Sequence, residues 1–153
     1  KNYIALVVKK QGDFYVDCGY YGAHLMIKAG QAGLNSCWVT NTYNAKKCLV
    51  SLAPDEELVG VIAIGYGTTD GTQHKSKSMD SLCKPSSDKW FIDGMNAAVL
   101  APTGLNKQNF FIEPNGNTVS IHTKDNSSMS QIDTGIVKYH FEIGAGKESF
   151  SWI

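Results

Sequence analysis

Apolar positions along the chain fall into short, distinct patterns. Residues 3–8 form a run rich in β-formers and predict a buried strand. Gln11-Gly12-Asp13 reads as a turn, after which Asp17 is placed as the cap of a helix. Tyr21, Leu25, Ala29 and Ala32 share one stripe of that helix, and Gly33 stands just past its end. Residues 37–40 predict a short strand, and Asn44 caps a short helix over 45–52 that stops before Pro54. Residues 58–66, Leu-Val-Gly-Val-Ile-Ala-Ile-Gly-Tyr, are apolar on both faces and predict a central strand. A polar loop over 67–78 and a linker at 85–88 follow. A helix over 90–100 carries Phe91, Met95, Ala98 and Val99 on one face and ends before Pro102. Segments 109–113 and 118–122 predict a hairpin around Pro114-Asn115-Gly116. Asp133 is read as the cap of a last helix to Gly144, and 150–153 as a terminal strand.

The pattern repeats. Residues 17–30 read DCGYYGAHLMIKAG and residues 133–146 read DTGIVKYHFEIGAG, so six of fourteen positions coincide at an offset of 116. Average residue usage would give roughly one match. Asp17, Gly19, His24, Ile27, Ala29 and Gly30 meet Asp133, Gly135, His140, Ile143, Ala145 and Gly146. Each copy then runs to a tryptophan, Trp38 and Trp152. The period is too long for a solenoid and predicts two half-folds, 1–84 and 88–153, packed as a single unit about a pseudo-two-fold axis. The fold class expected is α+β, a mainly antiparallel sheet flanked by helices.

Composition narrows the partners. The 153 residues hold 14 basic and 14 acidic side chains and are 42% hydrophobic, which fits one globular domain. A net charge of zero gives no general attraction to nucleic acid or an anionic membrane, and no apolar run has the length of a membrane span. Cys18, Cys37, Cys48 and Cys83 show no metal-ligand spacing and read as free, mostly buried thiols of a cytoplasmic protein, although four would permit two disulfides. No His, Cys and carboxylate cluster predicts a metal site.

Candidate chemistry gathers in two segments. After the central strand, Lys75, Ser76 and Lys77 offer two cations and a hydroxyl, either as a phosphate grip or as a solvated basic loop. The spacing is not that of a P-loop. His24 and His140, at equivalent repeat positions, are read as helix-packing residues, and neither His74 nor His122 is assigned as a catalytic base.

The second segment, 94–110, carries a resemblance. A helix stopped by Ala101-Pro102, then Thr103-Gly104-Leu105-Asn106-Lys107-Gln108, resembles the A-P-S-x-x-N-x-Q-P-W signature of the FMN-dependent nitroreductase family, with Thr103 for Ser, Asn109 for Pro and Phe110 for Trp. Residues 33–39, GLNSCWV, resemble the family's G-L-G-T-x-W, and the central strand followed by Lys75-Ser76-Lys77 resembles its phosphate-binding end. The chain as a whole is similar to a fused, pseudo-dimeric branch. The resemblance implies an oxidoreductase in which FMN passes reducing equivalents from NAD(P)H to an electron-poor acceptor such as a nitroaromatic or quinone, with no protein nucleophile. It implies that Lys75, Ser76 and Lys77 hold the phosphate. Pro102, Thr103, Gly104 and Asn106 would lie along the isoalloxazine and ribityl chain, and the backbone at Thr40-Asn41 would approach flavin N5. Lys107 is expected to face solvent and Gln108 to turn inward.

Two other readings stand beside it: a degenerate family member that has lost flavin and serves as a binding or structural module without catalysis, and a phosphate-ligand domain using the 75–77 loop. The offset of 116 places a partner for residues 94–109 before Lys1, and the family's N-terminal arginines find no counterpart, since all 14 basic residues are lysines. The expectation is therefore a chain lacking its opening segment, with the site completed by that segment or by another chain.

Overall fold

The computed structural model describes residues 2–69 and 71–153; Lys1, and Asp70 within the polar loop, lie outside the described residues. The elements are β1 (Asn2–Lys9), α1 (Phe14–Gln31), β2 (Asn35–Val39), β3 (Glu56–Gly65), α2 (Lys89–Ala98), β4 (Phe110–Asn115), β5 (Thr118–Thr123), α3 (Ser128–Ala145) and β6 (Ser151–Trp152). The class is α+β, but the strands form two three-stranded sheets rather than one. In the first, β3 lies between β1 and β2, antiparallel to both. In the second, β5 pairs antiparallel with β4 and parallel with β6, so that sheet is mixed. The central position expected for 58–66 is that of β3, with Gly60, Val61 and Ile62 buried. β1 is an edge strand, and only Leu6 is buried along it.

Local signals set most boundaries. Gly33 has φ +77 and ends α1, while the Leu34 N–H returns to the Ala29 carbonyl. The β4–β5 hairpin turns at Gly116-Asn117, with Gly116 at φ +57. Asn44 does cap a helix, its side chain accepting from the Lys46 N–H, but only as a single 3-10 turn at Ala45–Lys47. Neither aspartate of the repeat is a cap. α1 starts at Phe14, ahead of Asp17, which falls in its first turn. α3 starts at Ser128, where Ser127 Oγ accepts from the Ser130 N–H. Asp133 is consequently an interior residue of α3, and it is buried.

α1 and α3 pack backbone to backbone. A Cβ at Gly19 would collide with the Ile132 carbonyl, and a Cβ at Gly135 would collide with the Val16 carbonyl. Both pairs are related by the same 116-residue offset as the sequence repeat. Trp38 lies against Gly22, and Trp152 lies under the ammonium of Lys138 at 4.9 Å, again equivalent positions of the two helices. Tyr20 meets Tyr139 edge to face at 5.1 Å, and His24 stacks on Tyr139 at 5.2 Å, in keeping with a packing role.

The main core lies under α2 and α3, where Phe91, Met95, Val137 and Phe141 are sealed from solvent. A smaller cluster of Leu6, Cys18 and Ile62 shares Trp38 and Val59 with it. The stripe predicted for α1 is wrong in part: its buried face is Cys18, Gly19, Gly22, Ala23 and Ala29, while Tyr21 is 63% and Leu25 39% exposed. Their repeat equivalents, Val137 and Phe141, are buried because α2 covers α3, and no described element covers α1 in the same way. All four cysteines are free, but only Cys18 and Cys83 are buried.

The close approach makes opposite predictions for two helical glycines. Gly135→Ala should cost on the order of 1–3 kcal/mol, because the methyl must displace backbone. Gly30→Ala, with open space around its Cβ, should stabilise by about 0.5–1 kcal/mol. Urea unfolding of both variants checks this; a neutral or stabilising Gly135→Ala would contradict the contact.

Candidate functional site

A cavity of about 480 Å³ opens where the segment after β2 faces the loop after α2 and the first turns of α3. Thr40 and Asn41 form part of one wall; Pro102, Thr103 and Gly104 form part of another. Five of the residues singled out from sequence thus meet at one place. Trp38, Val59, Ile132 and Ile136 give it apolar flanks. Tyr15 and Glu57 stand among its polar groups, the Tyr15 hydroxyl donating to Glu57 Oε1 at 3.2 Å. Burial and this carboxylate push the Tyr15 hydroxyl above its ordinary value.

The loop wall is held by an uncommon backbone. Leu105, Asn106 and Gln108 have φ of +53, +53 and +46, left-handed conformations that non-glycine residues adopt at a cost. Side chains fix it. Thr103 Oγ1 accepts from the Gln108 N–H at 2.9 Å, and Gln108, 3% exposed, donates through Nε2 to the Lys75 carbonyl and to Asn106 Oδ1. Gln108 Oε1 accepts from the Lys77 N–H at 2.7 Å, and Asn106 Nδ2 donates to the Lys75 carbonyl at 3.0 Å. Gln108 does turn inward, as a strap between segments 75–77 and 103–108.

Lys75, Ser76, Lys77 and Asn106 stand outside the cavity wall. The Ser76 hydroxyl donates to the Val99 carbonyl at the end of α2. The Lys77 ammonium donates to the carbonyls of Lys107 and Gln108, at 2.6 and 3.1 Å. The Lys75 side chain is exposed.

Sequence reasoning missed Asp133 as a site residue. Its Oδ1 accepts from the Gly104 N–H at 2.9 Å, tying the loop to α3, and its carboxyl belongs to the cavity wall. Burial pushes the carboxyl up to about 6; the Gly104 N–H and Lys107 oppose the shift, and Asp125 adds to it. The signal was present, since Asp133 sits inside the apolar series Met129, Ile132, Ile136, Val137, where a cap residue does not belong. The repeat masks that signal, because its partner Asp17 lies in the first turn of α1.

These features define an α+β protein with a ligand-sized cavity between two half-chain segments. A family model described as "Putative TM nitroreductase" matches residues 1–145, and the chain belongs to that family. The structure is similar to the crystal structure of a putative nitroreductase from Thermotoga maritima, with a TM-score of 0.73 at 22% identity, covering 95% of this chain. This chain spans 61% of the length of that one. No curated protein matches the chain in sequence. Among the described residues, no helix is long and apolar enough to cross a membrane.

Because the carboxyl of Asp133 is raised from 3.8 to about 6, the folded chain keeps this proton to higher pH than the unfolded chain. The resulting stability is present below the unfolded value and is lost as pH rises through the folded one. Asp133→Asn should therefore gain stability relative to the parent chain more at pH 7 than at pH 4. Urea unfolding at both pH values checks the sign; an equal difference would contradict it.

Proposed function

We propose that the chain forms the flavin site of an FMN-dependent oxidoreductase that takes reducing equivalents from NAD(P)H and delivers them to an electron-poor acceptor such as a nitroaromatic or a quinone. The observation that carries this reading is the convergence of Thr40 and Asn41 with Pro102, Thr103 and Gly104 on one cavity. Its volume is that of cofactor sites, and apolar flanks with polar edges suit a planar heterocycle. No lysine lines the cavity. The phosphate would therefore sit outside the wall, against Lys75, Ser76 and Lys77, which are strapped to the same loop. When bound, FMN supplies hydride transfer at N5. The chain's part is to hold the ring, exclude water with Trp38, Ile132 and Ile136, and present the backbone of Thr40-Asn41 to the reactive edge.

Two half-folds related by a pseudo-two-fold axis belong to this proposal, supported by the reciprocal contacts of Gly19 and Gly135. Residues 1–84 and 88–153 would be those halves, with the cytoplasm as the expected compartment and another chain or segment completing the site. A second reading, a degenerate flavin-fold member that has lost flavin and serves as a binding or structural module, is favoured by one observation: the Ser76 hydroxyl and the Lys77 ammonium are already engaged within the chain.

Flavin bands in the absorbance of the purified protein, and oxidation of NAD(P)H on addition of a quinone, test the first reading against the second. Replacing Lys75 and Lys77 together with Ala should weaken FMN binding by about tenfold or more, since a charge-assisted phosphate contact contributes on the order of 1.5–3 kcal/mol. Unchanged affinity would remove these lysines from the site. Thr103→Trp should abolish FMN binding by filling the cavity, at a stability cost of about 1 kcal/mol for the acceptor lost to the Gln108 N–H. Retained binding in a folded variant would place the ring elsewhere.

A further inference from the structure

Asp133 is only 6% exposed, yet its carboxyl is not sealed in protein. Oδ1 is occupied by the Gly104 N–H, whereas Oδ2 has no hydrogen-bond partner among the described residues and, not being fully buried, stays open to solvent. Asp133 contributes to the cavity wall, and a Cβ at Gly104 would stand 3.6 Å from Oδ2 and against Met129 Sδ, so glycine keeps this corner open. A carboxylate oxygen that keeps access to solvent, on a wall shared with Met129, Ile132 and Ile136, can accept from a donor that enters the cavity. The charged and titratable groups around it are Lys107 and Asp125 on the loop side, and Glu57 with Tyr15 in the cavity lining. Tyr15 already donates to Glu57.

We propose that Asp133 reads the bound ring: Oδ2 accepts a hydrogen bond from a ring N–H of a planar heterocycle, the imide type that the flavin ring carries at N3, while Oδ1 holds the Gly104 amide. The inference rests on the flavin reading of the cavity and adds a chemical selection to it. Rings with an N–H donor are favoured over rings alkylated at that nitrogen. A carboxylate on the wall also disfavours a second negative charge inside the cavity. Since burial pushes this carboxyl up to about 6, the charged form, the stronger acceptor, dominates at neutral pH and gives way to the weaker neutral acceptor below it. The preference should fade in acid.

The test is a titration of FMN, and of FMN methylated at N3, into the parent protein and Asp133→Asn, read by flavin fluorescence at pH 7.5 and pH 5. The parent protein should bind FMN at least about tenfold more tightly than the methylated form at pH 7.5, in line with a charge-assisted bond. That ratio should shrink at pH 5 and collapse toward one in Asp133→Asn. Equal ratios in both proteins would overturn the inference while leaving the flavin reading in place. If Asp133→Asn does not fold, the parent protein decides alone: a ratio that does not change between the two pH values overturns the inference. Binding of neither ligand to the parent protein overturns both the inference and the flavin reading.

Discussion

The contact of α1 with α3 at two glycines is the constraint on which the rest of the molecule depends. Gly19 and Gly135 have no side chain, so each helix lays its backbone against a carbonyl of the other. Any larger residue would push the helices apart. Because β2 follows α1 directly and the loop after α2 rests on α3 through Asp133, the spacing of these two helices sets the spacing of the cavity's walls. Packing in the interior and geometry of the site are one problem here, settled by two missing methyl groups.

The site has a divided electrostatic character. Its interior carries carboxylates, Asp133 and Glu57, with apolar flanks, while the lysines stand on the loops outside. A ligand that suits both regions has a neutral ring with donors at one end and an anionic group at the other. The left-handed residues Leu105, Asn106 and Gln108 store strain in the wall between the regions. They persist because Thr103, Asn106 and Gln108 satisfy one another and the backbone of Lys75 and Lys77. Preorganisation of this kind spares a ligand the cost of ordering the loop.

Much of this was legible in the residues, and the failures have a common cause. Strand β3, helix α2 and the hairpin follow from periodicity and turn chemistry, which act locally. Thr40, Asn41, Pro102, Thr103 and Gly104 were legible as a set only through family resemblance, and the structure brings them together. Asp133 escaped because a cap and a buried interior carboxylate look alike until the helix start is known, and that start was set by Ser127. Tyr21 and Leu25 were read as core because apolar periodicity reports which face is apolar, not which face is covered. The roles of Ser76 and Lys77 depend on carbonyls of Val99, Lys107 and Gln108, contacts across more than twenty residues that no local pattern encodes.

The proposed flavin site lies between the segment after β2 and the loop after α2. Backbone amide chemical shifts recorded with and without FMN test it most directly. The account predicts the largest changes at Thr40, Asn41, Thr103 and Gly104, on both walls at once. Changes confined to the cleft of about 630 Å³ between β1 and α1, lined by Leu6, Tyr21 and Leu25, or no saturable change at all, would contradict it.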